Sequence, residues 1–230
     1  MIHAPSSSPK PKKERTMPKN KKNTGFTLVE ISIVLVIIGL IIGGVLTGQQ
    51  VIQNARISNT INGIQAYQAQ LQTYSQNYGA LPGDDASAAT RFDGVTACSG
   101  TGCGDGKIGT NNSFDAASDA TGDAAESRQV WAHLRAANLV KNQISGNNDT
   151  SVQPSNPFSG IYGFQNGTED GVFSTTVLCL DKVPSTAAQA IDSRLDDGVK
   201  DKGSLQSIEG GEDGDTTYKE DTIYTLCISM

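Results

Sequence analysis

The chain has 230 residues and a formal charge of −6, with 37% hydrophobic, 18% charged and 6% aromatic residues. Once an apolar stretch near the N-terminus is set aside, about 150 residues remain for a soluble part, which excludes a large multidomain protein and leaves one ordinary domain with a modest core. The net charge hides an asymmetry: residues 1–25 hold seven basic side chains against Glu14, a net +6, so the rest of the chain carries −12.

Residues 1–24 combine Pro5, Pro9, Pro11 and Pro18 with Ser6, Ser7 and Ser8, a composition that cannot build a core and reads as disordered. Its charge suits a retention signal on the cytoplasmic side, and equally an arm that binds nucleic acid or lipid headgroups; nucleic-acid binding stays open. Translation starts at Met1 or at Met17, the second giving a short basic leader, Met17–Gly25.

From Phe26 to Thr47 the only charge is Glu30. Such a run is long enough to cross the roughly 30 Å hydrocarbon layer as a helix. A carboxylate in a membrane helix costs on the order of 2.5–3.5 kcal/mol at the bilayer centre, so it calls for a partner or for an escape to the headgroups. Lys19, Lys21 and Lys22 run into Thr24-Gly25, and the apolar segment ends without an A-x-A-like cleavage site, unlike a secretory signal. The basic flank places the N-terminus in the cytoplasm and the bulk of the chain across the membrane.

The string Gly25-Phe26-Thr27-Leu28-Val29-Glu30 and its apolar continuation resemble the bacterial prepilins, the family of type IV pilins and type II secretion pseudopilins. The resemblance implies cleavage between Gly25 and Phe26 by a membrane-embedded prepilin peptidase, which also methylates the new Phe26 amine, and retention of the helix as an inner-membrane anchor with a periplasmic head. It implies a structural, non-enzymatic role, with copies of the chain, other pilin subunits and the inner-membrane assembly machinery as partners. The cleaved amine is a cation facing the positive end of a helix dipole and needs an anion. In the family the residue matching Glu30 neutralises the amine of a neighbouring subunit, which offsets two buried charges; an intramolecular Glu30–Phe26 pair fits the spacing equally. The rival reading is a signal-anchored, monomeric periplasmic binding or hydrolytic domain.

Beyond Gly48, Ile57, Ile61, Ile64, Tyr67, Leu71, Tyr74 and Tyr78 recur every three or four residues, with Arg56, Asn59 and a series of glutamines between them. This is one face of an amphipathic helix. No proline interrupts residues 26–78, so a single helix is expected: residues 26–47 form its transmembrane half, residues 48–80 its amphipathic half and terminus, and residues 81–230 the head. It stops at Gly79, with Pro82 beyond. Many pilins carry a proline late in the apolar segment; here Gly43, Gly44 and Gly48 stand instead, either loosening the helix by about 1 kcal/mol each or allowing close helix packing.

Residues 81–122 lack any period and read as a long loop with short ordered pieces. Asp123, with Glu126 three residues on, has the pattern of a helix start, for a helix from Ala124 to Val140 that turns Val130, Trp131, Leu134 and Ala137 inward. His133 reads as partly exposed and not as a metal ligand, since no second His or Cys lies at ligand spacing. Strands are expected at 161–165, 171–180 and 222–229, with a short helix at Thr186–Leu195. An antiparallel sheet laid on the 57–78 stripe makes an α+β, pilin-like fold.

Four cysteines allow three pairings. Cys98 and Cys103 enclose only Ser-Gly-Thr-Gly, while Cys179 and Cys227 each lie near the end of an expected strand, which favours 98–103 with 179–227. The larger ring resembles the C-terminal disulfide loop of type IV pilins; the smaller is expected to tie down little. Asp84-Asp85, Asp196-Asp197 and Glu212-Asp213-Gly214-Asp215 are read as solvated turns; calcium, which major pseudopilins bind near the C-terminus, is the other use for such oxygens. No nucleophile motif, phosphate loop or cofactor signature occurs. Pilus, secretion pseudopilus and DNA-uptake fibre, and major or minor subunit, all remain open.

Overall fold

A computed structural model describes residues 25–141, 149–168, 171–209 and 216–230. The elements run α1 (Leu28–Tyr78), α2 (Ala88–Arg91), α3 (Asp123–Ala136), β1 (Tyr162–Asn166), β2 (Thr176–Pro184), α4 (Ser185–Leu195), β3 (Leu205–Glu209) and β4 (Ile223–Ser229). The fold is α+β, with a long apolar N-terminal helix and a C-terminal four-stranded antiparallel sheet. The chain divides into two compact units, Met1–Thr47 and Gly48–Met230.

In the first unit, α1 is long and apolar enough to cross a membrane, and its most apolar window is wholly exposed. In the second, α1 keeps the periodicity of the stripe: Ile57, Thr60, Ile64, Leu71 and Tyr74 are buried, and Ile61, Tyr67 and Tyr78 pack at the margin. The helix stops as its composition requires, because Gly79 takes φ +71°, a conformation that a side chain disfavours.

The sheet order is β1-β2-β4-β3, every neighbour antiparallel. Alternation sends Leu178 and Leu180 of β2 and Leu226 and Ile228 of β4 to the face where Ile64, Trp131 and Ile191 also lie. Trp131 of α3 is the hub: its ring meets Tyr67 of α1 edge-on at 5.0 Å and Phe164 of β1 at 5.2 Å. Such aromatic pairs add about 0.5–1.5 kcal/mol each beyond their burial. Val177, Cys179 and Cys227 point to the other face, where Phe114 and Phe173 cover them in a second, smaller core.

Several boundaries differ from expectation. α3 runs from Asp123 to Ala136 and not from Ala124 to Val140, because Asn138 turns left-handed at φ +57°. Its N-cap is Gly122, with no side-chain cap; the Asp123 and Glu126 carboxylates accept from loop amides instead. β2 begins at Thr176, not 171, since the Phe173 carbonyl and Thr168 close a turn first. β3 was not expected at all. Its five residues, Leu-Gln-Ser-Ile-Glu, have one apolar residue on each face and become a strand only because β4 offers a free edge.

Candidate processing and assembly site

The first turn of α1 is fixed by two side chains. The Thr27 amide and hydroxyl both donate to Glu30 Oε2, at 2.7 and 2.8 Å, and the Glu30 amide donates back to Thr27 Oγ1 at 3.2 Å. This is a reciprocal capping box, Thr-x-x-Glu, which satisfies amides that a helix start leaves without partners. The Thr-x-x-Glu pattern stands in the sequence at Thr27-Leu28-Val29-Glu30, and it gives Glu30 a partner other than the Phe26 amine. In the uncut chain the carboxylate is therefore held by Thr27. Phe26 and Leu28 are 83% and 85% exposed. A Cβ added to Gly25 would meet nothing within 4 Å, and the same holds at Gly39, Gly43, Gly44 and Gly48. Among the described residues, nothing packs closely enough to require glycine at these places.

The head holds the cysteines in two bonds, Cys98–Cys103 and Cys179–Cys227. The second joins residues directly opposite on β2 and β4, the central pair of the sheet, with Cα atoms 4.1 Å apart. It lies on the face turned away from the α1 stripe. The small ring does more than its length promised. Gly102, beside Cys103, donates to Asp123 Oδ1 at 3.2 Å, and the amides of Gly104 and Gly106 both donate to Asp84, the latter at 2.7 Å.

Asp84 and Asp85 are correspondingly not solvated turns: they are 3% and 2% exposed. A glycine loop folded over the start of α3 turns its amides inward, and these need acceptors. Asp85 accepts from the Tyr74 hydroxyl at 2.8 Å and from the Ser87 amide at 2.9 Å, and pairs with Arg91. Glu126 Oε2 accepts from Gly109 at 2.9 Å. Burial pushes the Glu126 carboxyl up to about 7; the Gly109 amide opposes this, and Asp84, Asp123 and Asp105 add to it. His133 is wholly buried, not partly exposed. Its Nδ1 accepts from the Gly83 amide at 3.0 Å, which leaves Nε2–H to donate to the Thr96 carbonyl at 2.9 Å. Burial holds its pKa below the usual imidazole range. The ring pins the Leu-Pro-Gly-Asp turn to α3 and faces no nucleophile.

Asp196 accepts from the amides of Ser204 and Leu205, and Asp197 from Val199, so this pair organises the turn into β3. Glu212, Asp213 and Asp215 lie outside the described residues, as do the basic residues up to Lys22.

An exposed membrane-length helix, opened by Thr27 and Glu30 and carried into an α+β head, defines a protein with a membrane-competent N-terminal segment and no catalytic constellation among the described residues. The family described as the prokaryotic N-terminal methylation motif matches residues 20–46. The match covers the N-terminal segment alone, and there it supports a prepilin-like protein of the type IV pilin and pseudopilin kind. No curated protein and no solved structure matches it.

Proposed function

We propose that the chain is a structural subunit of a type IV pilus-like or type II secretion pseudopilus filament, cut after Gly25, N-methylated on Phe26 and polymerised through residues 26–78. On this reading it is an inner-membrane protein before assembly, with a cytoplasmic leader and a periplasmic head, and it has no enzymatic activity. The observation that carries the reading is the methylation motif at residues 20–46, overlapping an apolar helix window that is exposed among the described residues. The open space at Gly25 supports it too: the chain tolerates a side chain there, so a glycine requirement would come from an enzyme that binds this bond. After cleavage the Phe26 ammonium competes with Thr27 for Glu30, and a neighbouring subunit's ammonium can do the same in the filament core.

Mass spectrometry of the mature N-terminus tests this directly. A mass beginning at methylated Phe26 is expected, and an intact leader or a cut elsewhere refutes the reading. Gly25→Leu should insert normally, stay unprocessed and fail to assemble; a variant that inserts and works as the wild type does would favour the rival, a signal-anchored monomeric domain.

A further inference from the structure

We propose that Asp84 and Glu126 form a binding site for a hard divalent cation of the calcium class, between the first turn of α3 and the glycine loop 98–109. The proposal is independent of the filament reading, because it concerns the head alone.

Oxygens of the two carboxylates lie within 4.8 Å of each other, with Cys98 Sγ also inside that distance. The sulfur is bonded to Cys103 and offers no thiolate, so the donors are oxygens. Glu126 is 1% exposed and Asp84 is 3% exposed. Glu126 Oε2 is used by Gly109, whereas its Oε1 is buried without any hydrogen-bond donor. A buried carboxylate oxygen left bare beside a second carboxylate is costly unless something positive stands between them. The neighbouring arginines are engaged elsewhere, Arg91 with Asp85 and Arg128 with Asp149, and the charges felt by Glu126 are those of other carboxylates.

Two oxygens at up to 4.8 Å apart can both reach an ion between them at about 2.4 Å, the calcium–oxygen distance, whereas magnesium prefers about 2.1 Å. Asp123 on the same turn of α3 and Asp105 in the loop add negative charge around Glu126. Loop carbonyls and water would complete the six to eight oxygens that calcium takes. Asp84 accepts from the amides of Gly104 and Gly106, so the bare oxygen of the site is Glu126 Oε1. The other acidic group, Asp192, Asp196 and Asp197, accepts from backbone amides and the Tyr218 hydroxyl and has no such oxygen in the interior.

The experiment is calcium titration of the full chain in detergent micelles at neutral pH after chelation, read by calorimetry and by Trp131 fluorescence melting. Saturable binding is expected, with Tm raised by about 5–10 °C at a hundredfold excess over Kd. Glu126→Gln, an isosteric change, should weaken binding at least tenfold, and Asp196→Asn should leave it unchanged. Asp84→Asn should act as Glu126→Gln does; should it fail to fold, the calorimetry of the native chain and of Glu126→Gln still decides. Absence of saturable binding at about 10 mM calcium, above the range of weak extracellular sites, overturns the proposal. So does unchanged affinity in Glu126→Gln. Stabilisation by acid alone, with no response to calcium, would mean that a shared proton fills the gap, which also overturns it.

Discussion

Replacing Cys179 and Cys227 together by alanine removes the bond across the two central strands, and its cost can be set against that of the Cys98–Cys103 pair. The rings close over sequence separations of 48 and 5. The chain-entropy treatment assigns them about 4 and about 2 kcal/mol. Alanine is the right probe, because Cys179 and Cys227 are fully buried among Phe114, Phe173 and Val177, where a serine hydroxyl would lack a partner. For a head of this size a kcal/mol moves Tm by about 2–4 °C, so the losses are about 8–16 °C for the large ring and about 4–8 °C for the small one. That figure for the small ring reflects its length alone; because Gly102 and Gly104 hang on Asp123 and Asp84, its loss should fall toward the upper end of the range. Trp131, the chain's one tryptophan, is fully buried and reports the head in the full protein in micelles. Equal losses from the two double mutants, or a larger loss from the small ring, would refute the reasoning and the view that the central strand pair dominates.

Glu30→Gln should leave cleavage and helicity intact, since an amide oxygen still accepts from Thr27, yet cut the sheared filament yield roughly tenfold or more, because an unpaired buried ammonium costs several kcal/mol; normal yield would remove the charge role. Glu126 and His133 give a second expectation, read with a chelator present. A carboxyl raised to about 7 when folded stabilises the head below its unfolded value of 4.5 and loses that contribution as pH rises through 7, whereas His133, lowered when folded, stabilises above 6.5 and loses its contribution as pH falls. The two contributions therefore oppose each other between pH 5 and 7, and Glu126→Gln, which keeps only that of His133, should gain on the order of 2–3 kcal/mol over wild type between pH 5 and 8 in urea melts; a constant difference would contradict the buried, charge-crowded Glu126. Gly163→Ala should prevent folding of the head or cost more than about 3 kcal/mol, as its Cβ would overlap the Phe114 carbonyl; a stable, soluble variant seen by circular dichroism would contradict that contact.

What was legible in the sequence was whatever repeats or punctuates. The helix from Leu28 to Tyr78 follows from an uninterrupted apolar run and a regular stripe, and its stop from Gly79. The strands around Leu178 and Leu226 are dense in β-branched and apolar residues, and the cysteine pairing followed from their spacing. What escaped depends on contacts distant in sequence. β3 is too short and polar to announce itself and exists through β4. His133 and Asp84 looked like surface residues because type and spacing say nothing of a glycine loop that folds over α3 and needs acceptors. The box of Thr27 with Glu30 is local and readable, but the same residues also carry the Gly-Phe-Thr-Leu-x-Glu motif, which gives Glu30 a second use.

The order of the strands has a consequence for how the head is made. β4 is the latest of the four in the chain, yet it lies between β2 and β3, not at an edge. A head made residue by residue therefore presents β1, β2 and β3 with a gap at the centre, and β3 has no partner in the sheet until β4 arrives to fill it. Closure of the sheet is a late event that waits for the end of the chain. Until then the open edge of β2 is a template for any extended segment, so the head is most exposed to wrong strand pairing in that interval.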